Sequence, residues 1–126
     1  MPITISHIDH EGRRIDAVAS GPIHYVDVER HLVEERIVGG FPYKEFIDAR
    51  DASLLFALSP AEIRQIVSLV RNLAGQERFG STAVLVSTDF AFGIMRAMEM
   101  LLEDAADVRP FQEERLARSW LASKPH

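Results

Sequence analysis

Residues 82–104 read TAVLVSTDFAFGIMRAMEMLLED. Four consecutive apolar residues, Ala83-Val84-Leu85-Val86, open the stretch. A strand wetted on one face alternates apolar and polar residues. A continuous run suits a strand covered on both faces, as in a parallel sheet. Ser87-Thr88-Asp89 then break the run, and a methionine-rich helix is expected over about 90–105. In open α/β sheets ligands gather beyond the carboxyl ends of the strands. Ser87, Thr88 and Asp89 stand at such an end, although capping of the next helix already accounts for them.

Working outward, the chain alternates strands and helices. ITISHI, 3–8, alternates as a half-buried strand does, and RIDAVAS, 14–20, reads as its hairpin partner with a turn near Glu11-Gly12. Gly21-Pro22 is expected to end that strand. YVDVERHLVEERIVGG, 25–40, reads as a helix capped by Asp27 and ended by Gly39-Gly40, but its apolar stripe is poor. Val28 and Leu32 share a face, while Val33 and Ile37 do not. YKEFIDA, 43–49, reads as a strand, and 49–58 as a linker.

From Ser59 the pattern is clearest. Ser59 and Glu62 have capping-box spacing, Pro60 stands at the first helical position, and Ile63, Ile66, Val67, Val70 and Leu73 form one stripe. Gly75 is expected to close the helix in a left-handed cap. VRPF, 108–111, reads as a last strand, placed at an edge by Pro110. EERLARSWLAS, 113–123, reads as a final helix docked through Leu116 and Trp120. The expected class is α/β: one mixed, largely parallel sheet with an N-terminal hairpin, in the order β-β-α-β-α-β-α-β-α.

Composition excludes several functions. The 126 residues suit one domain, 1–126, and the net charge of −5 with no basic run argues against nucleic-acid binding. No apolar run approaches the ~20 residues of a membrane span. There is no cysteine, hence no disulfide or thiolate chemistry, and MPITISHID is not a secretory signal. A cytoplasmic protein is expected. The seven glycines have no phosphate-loop or dinucleotide spacing, and no nucleophile elbow is present. No cofactor and no catalytic residue is therefore indicated.

The histidines give no metal motif. His7 and His10 flank Asp9, but surface histidines are the expectation there. His24 and His31 lie seven apart near Asp27 without HExxH spacing.

The order of elements resembles the STAS domain of sulfate transporters and anti-sigma-factor antagonists. The stretch 83–121 resembles the SpoIIAA-like group, which is related in fold to the lipid-binding CRAL-TRIO domain. The matching residues are Phe92, Gly93, Arg96, Met98, Glu99, Phe111, Ala117, Trp120 and Leu121. In that group an aromatic-Gly turn precedes an Arg-Met pair, whereas here Ala97 separates Arg96 from Met98. The resemblance implies a fold more than a function. In the antagonists a serine of an Asp-Ser-Ser turn is phosphorylated. The corresponding segment here, Asp48-Ala49-Arg50-Asp51-Ala52-Ser53, does not reproduce that turn, and Ser53 is the phosphorylation candidate it leaves.

On the helix near 90–105, Ile94, Ala97, Met98, Leu101 and Ala105 fit a buried stripe, and Arg96, Glu99 and Glu103 a solvated one. At about 100° per residue, Phe92 falls in the polar stripe and Met100 on its border. Either Phe92 is exposed, or it turns inward ahead of the helix. The exposed reading makes Asp89, Phe90, Phe92, Arg96 and Met100 a contact surface for a protein partner or a second copy. The alternative is an apolar or lipid ligand held between helices and sheet. An enzyme using Asp48, Asp51, Ser87 or Asp89 has no positive signature.

Overall fold

The computed structural model describes residues 2–54 and 59–125; the end of the linker expected at 49–58 and the terminal His126 lie outside them. Among the described residues five strands form one sheet in the spatial order β1-β2-β3-β4-β5. They are β1 (Ile3–Asp9), β2 (Arg14–Pro22), β3 (Lys44–Ser53), β4 (Thr82–Leu85) and β5 (Val108–Phe111). The opening hairpin is antiparallel and every other pairing is parallel. Helices α1 (Tyr25–Ile37), α2 (Pro60–Ala74) and α3 (Asp89–Leu102) link successive parallel strands, and α4 (Glu114–Ser123) follows β5. This is the α/β class and element order the sequence implies.

β4 explains the layering. Ala83, Val84, Leu85 and Val86 are all buried. Side chains alternate along a strand. Val84 and Val86 therefore join Ile66 of α2 and Met98 and Leu102 of α3 in one core. Ala83 and Leu85 join Phe46, Ala117 and Leu121 in a second core beneath α4. Helices α1, α2 and α3 thus cover one face. α4 covers β3 to β5 on the other, leaving Val18 of β2 42% exposed.

Several local expectations need correction. β2 runs through Gly21-Pro22, because Pro22 pairs at the strand's end opposite Ser53. Gly75 is right-handed, with φ −72°, so α2 has no left-handed cap. Thr88 caps α3, its hydroxyl accepting the Ala91 N–H at 3.0 Å. Gly93 lies inside α3 and forms no turn. α3 also packs in another phase than the spacing suggests. Met98 and Leu102 are buried, while Leu101 is 47% exposed. Fourteen residues from Asp89 to Leu102 include so few charges that periodicity cannot choose the inner face. α4 docks through Ala117 and Leu121 rather than Leu116, which is 44% exposed. Trp120 is half-buried beside them, its ring 5.6 Å from that of Phe111.

The α4 phase gives a direct test. Leu121→Ala removes a buried anchor and is expected to destabilise the fold by about 2–5 kcal/mol, whereas Leu116→Ala is expected to change it by less than about 1 kcal/mol. Urea unfolding of both variants measures the difference.

Candidate functional site

Helix α1 turns its polar side inward. Asp27, His31 and Glu35, four apart in sequence, are buried, while Val26, Val33 and Ile37 are 49%, 53% and 78% exposed. Asp27 serves the helix locally, since its carboxylate accepts the backbone N–H of His24 at 2.9 Å and closes the helix start. His31 and Glu35 have no such local role. Their i,i+4 spacing puts both side chains on one face, directed at the start of β3.

There they meet Glu45. Glu45, Ile47 and Ala49 alternate onto the sheet face beneath the three helices, and Glu45 pairs in register with Ile15 of β2 and Thr82 of β4. His31 Nε2 lies 2.7 Å from Glu45 Oε2 and 2.7 Å from Glu35 Oε1. All three side chains are at most 6% exposed. One N–H cannot serve two oxygens. It is directed to Glu45, so Glu35 Oε1 is left without a hydrogen-bond partner, as is His31 Nδ1.

Charge in this cluster follows from burial. Desolvation by itself would lower the His31 pKa; the negative charge of Glu45 and the close contact of Nε2 with an oxygen of each carboxyl outweigh it and push it up to about 10. Glu35 is driven the opposite way to an ordinary carboxylate. Burial, and then the charge of Glu45, raise its pKa well above the usual range. In the metal-free cluster the imidazole of His31 is held in its charged form, and Glu35 is the carboxyl whose ionisation burial opposes.

The cluster forms one end of a partly open cavity of about 170 Å³ between the sheet and helices α1, α2 and α3. The rest of its wall is largely apolar, including Ile3, Ala19, Ala49, Val70, Val84 and Met98. Two glycines shape the end that holds the cluster. A Cβ on Gly40 would lie 2.3 Å from Ile15 Cδ1, and one on Gly80 would meet the Tyr43 carbonyl oxygen at 2.0 Å. Their close approach lets Phe41 and Phe79 stack there, with ring centroids 4.7 Å apart.

The residues singled out from sequence lie elsewhere. Asp89 is exposed and its Oδ1 accepts from Gln112 Nε2 at 3.1 Å. Phe90 and Met100 are 61% and 66% exposed on the outer side of α3. Phe92 is half-buried and packs against the core, so it belongs to the helix and turns inward. Arg96 pairs with Glu99 at 2.7 Å on the surface. Ser53 is exposed at the end of β3, its carbonyl accepting the Ile23 N–H at 2.8 Å. Ser87 Oγ donates to the Arg50 carbonyl, and the Arg50 guanidinium holds the Asp48 carboxyl below its usual range. His7 and His10 are exposed, and His10 contacts the Tyr43 hydroxyl at 2.9 Å. His24 is exposed at the α1 cap, so it does not join His31. The carboxyl-end residues do not line the cavity, and the buried cluster sits at the amino end of β3.

No protein-family model matches the sequence, and no curated protein matches it. Among solved structures, the chain is similar to an uncharacterized protein from the DUF3478 family with a SpoIIAA-like fold, from Shewanella loihica PV-4. The TM-score is 0.62 at 18% identity, covering 94% of this chain and 93% of that one. At that identity the likeness is one of fold. The SpoIIAA-like fold is therefore established, in agreement with the resemblance carried by residues 83–121.

The unequal carboxylates predict unequal substitutions. Glu35→Gln removes a carboxyl whose ionisation burial already opposes and is expected to change stability by less than about 1 kcal/mol. Glu45→Gln leaves a buried cation without its counter-charge and is expected to lose about 3–5 kcal/mol. Urea unfolding near neutral pH, with chelator present, distinguishes the two.

Proposed function

We propose that this chain is a binding module for a small, largely apolar molecule held between helices α1 to α3 and the sheet. The observation that carries the reading is the cavity: about 170 Å³, apolar along most of its wall and polar at one end. Ligand sites commonly combine an apolar wall with a few placed polar groups. A comparable apolar cavity of about 150 Å³ in another protein takes up benzene. The occupant class is then a single ring or short chain with one hydroxyl or amine, its polar atom meeting Glu35 and Glu45. A long acyl chain exceeds the space. The fold relation to the lipid-binding CRAL-TRIO domain agrees in kind but not in size.

The test uses benzyl alcohol, phenol and hexanol as probes in methyl NMR titrations. Shifts are expected at Ala49, Val84 and Met98, and Val70→Phe, which fills the cavity from α2, is expected to weaken binding at least about ten-fold. If no probe moves those methyls, the reading fails.

A second reading rests on the outside of α3. Phe90, Ala97 and Leu101 fall within about 40° of one another around the helix, and all three are exposed, with Met100 beside them. The exposed residue at the centre of this reading is Phe90, not Phe92. Sedimentation of wild type and of the variant carrying Phe90→Asp with Leu101→Asp is expected to show association lost in the variant. A wild-type monomer at all concentrations removes this reading.

A further inference from the structure

We propose that His31, Glu35 and Glu45 form a binding site for one divalent transition-metal ion of the Zn²⁺, Mn²⁺ or Fe²⁺ kind. The three side chains can each offer a ligand atom, all within 4.8 Å of one another. One imidazole with two carboxylates is a donor set these ions accept. The inference goes beyond the ligand reading and does not need it, because ion binding uses only these three residues.

The placement suits a single ion. His31 and Glu35 are fixed by helix α1 at i,i+4, and Glu45 by the middle strand of the sheet. Sites built on helices and strands hold their ligands more tightly than sites on loops. The Nε2 atom lies 2.7 Å from an oxygen of each carboxylate. Around an ion with bonds of about 2.0–2.2 Å, tetrahedral ligand atoms stand about 3.3–3.6 Å apart. Entry of the ion therefore needs each oxygen to move by roughly 0.6–0.9 Å, a side-chain adjustment beside a cavity with room for it.

Charge and satisfaction point the same way. A structural ion pair with His31 needs one carboxylate, and Glu45 supplies it. Glu35 is surplus: it is 3% exposed, and its Oε1 has no hydrogen-bond partner. Buried polar atoms are normally paired, so an orphan oxygen beside an imidazole nitrogen and a second carboxylate is a ready lone pair. Ion binding releases the proton on His31 Nε2, and any proton held by Glu35, to solvent; the two carboxylates then carry two negative charges, which one divalent ion cancels. Three protein ligands leave a fourth position, the arrangement of ions that bind a further molecule. All three residues line the cavity, so that position faces it.

The affinity should be moderate. His31 Nδ1 has no acceptor to fix the ring, and missing outer-shell partners weaken metal sites by about 10–100-fold.

The test titrates the full chain, stripped with chelator, with Co²⁺ and then Zn²⁺ alone near neutral pH. Visible Co²⁺ absorption reports coordination, and elemental analysis after gel filtration reports stoichiometry. One ion per chain is expected, with micromolar affinity and displacement of Co²⁺ by Zn²⁺. Glu35→Gln, which keeps the fold on the grounds given above, is expected to weaken binding at least about ten-fold. His7→Asn with His10→Asn is expected to leave it unchanged. Mn²⁺ broadening of wild-type amide signals supplies a readout that needs no variant. It should centre on His31, Glu35 and Glu45. The proposal is overturned if wild type retains no ion, if Glu35→Gln binds as tightly as wild type, or if broadening centres on the hairpin histidines.

Discussion

Charge inside an apolar core must be matched, and in this protein that requirement falls on three side chains. His31 on α1 is held between Glu35 on the same helix and Glu45 on β3, at 2.7 Å from each. Removing an ion from water costs several kcal/mol, and attraction to a partner only roughly repays it. A helix meant solely to cover a sheet would present leucine and valine there. α1 instead exposes Val33 and Ile37 and buries a histidine and a glutamate. Stability alone does not account for that exchange.

The rest of the architecture gives the cluster its surroundings. β4 is buried on both sides, which divides the molecule into two cores. The α4 side is closed by Ala117 and Leu121 against Phe46 and Leu85. The α1 to α3 side is less completely filled and contains the cavity. Small side chains, Ala19, Ala49 and Ala52, form part of its wall. A rigid sheet with one filled face and one hollow face is a suitable frame for a site. The cluster sets the polarity at one end of that hollow.

Much of the fold was legible in the sequence. The run Ala83 to Val86 announced a doubly covered strand, Ser59-Pro60 announced a helix start, and Pro110 announced an edge. Each signal is local, and each element obeys it. Phase was harder. α3 is apolar almost all round, so the inner face was decided by contacts with β5 and α2 rather than by spacing. In α4 the choice between Leu116 and Ala117 turned on how closely the helix approaches the sheet, which favours the smaller residue. No helix among the described residues is long and apolar enough to cross a membrane, in keeping with the sequence.

The candidate site was hardly legible at all. His31 and Glu35 are ten or more residues from Glu45, and only the register of β3 beneath α1 unites them. One local signal was present. The weak apolar stripe of α1, with charged residues at four-residue spacing and valines between, is the pattern of a helix with its polar face inward. It reads equally as a marginal helix until a neighbouring strand supplies a matching charge. Phe92 shows the converse: a residue that spacing placed among exposed charges packs inward because α3 rotates to bury it.

The central claim is that the His31–Glu35–Glu45 cluster serves a site and is not a strut for the fold. The direct measurement is the unfolding free energy of the triple variant His31→Leu, Glu35→Met, Glu45→Met. Replacing the whole cluster with apolar side chains of similar size should leave stability unchanged or raise it by about 1–4 kcal/mol. A loss of about 3 kcal/mol or more, the magnitude expected when a necessary buried ionic contact is broken, would contradict the account.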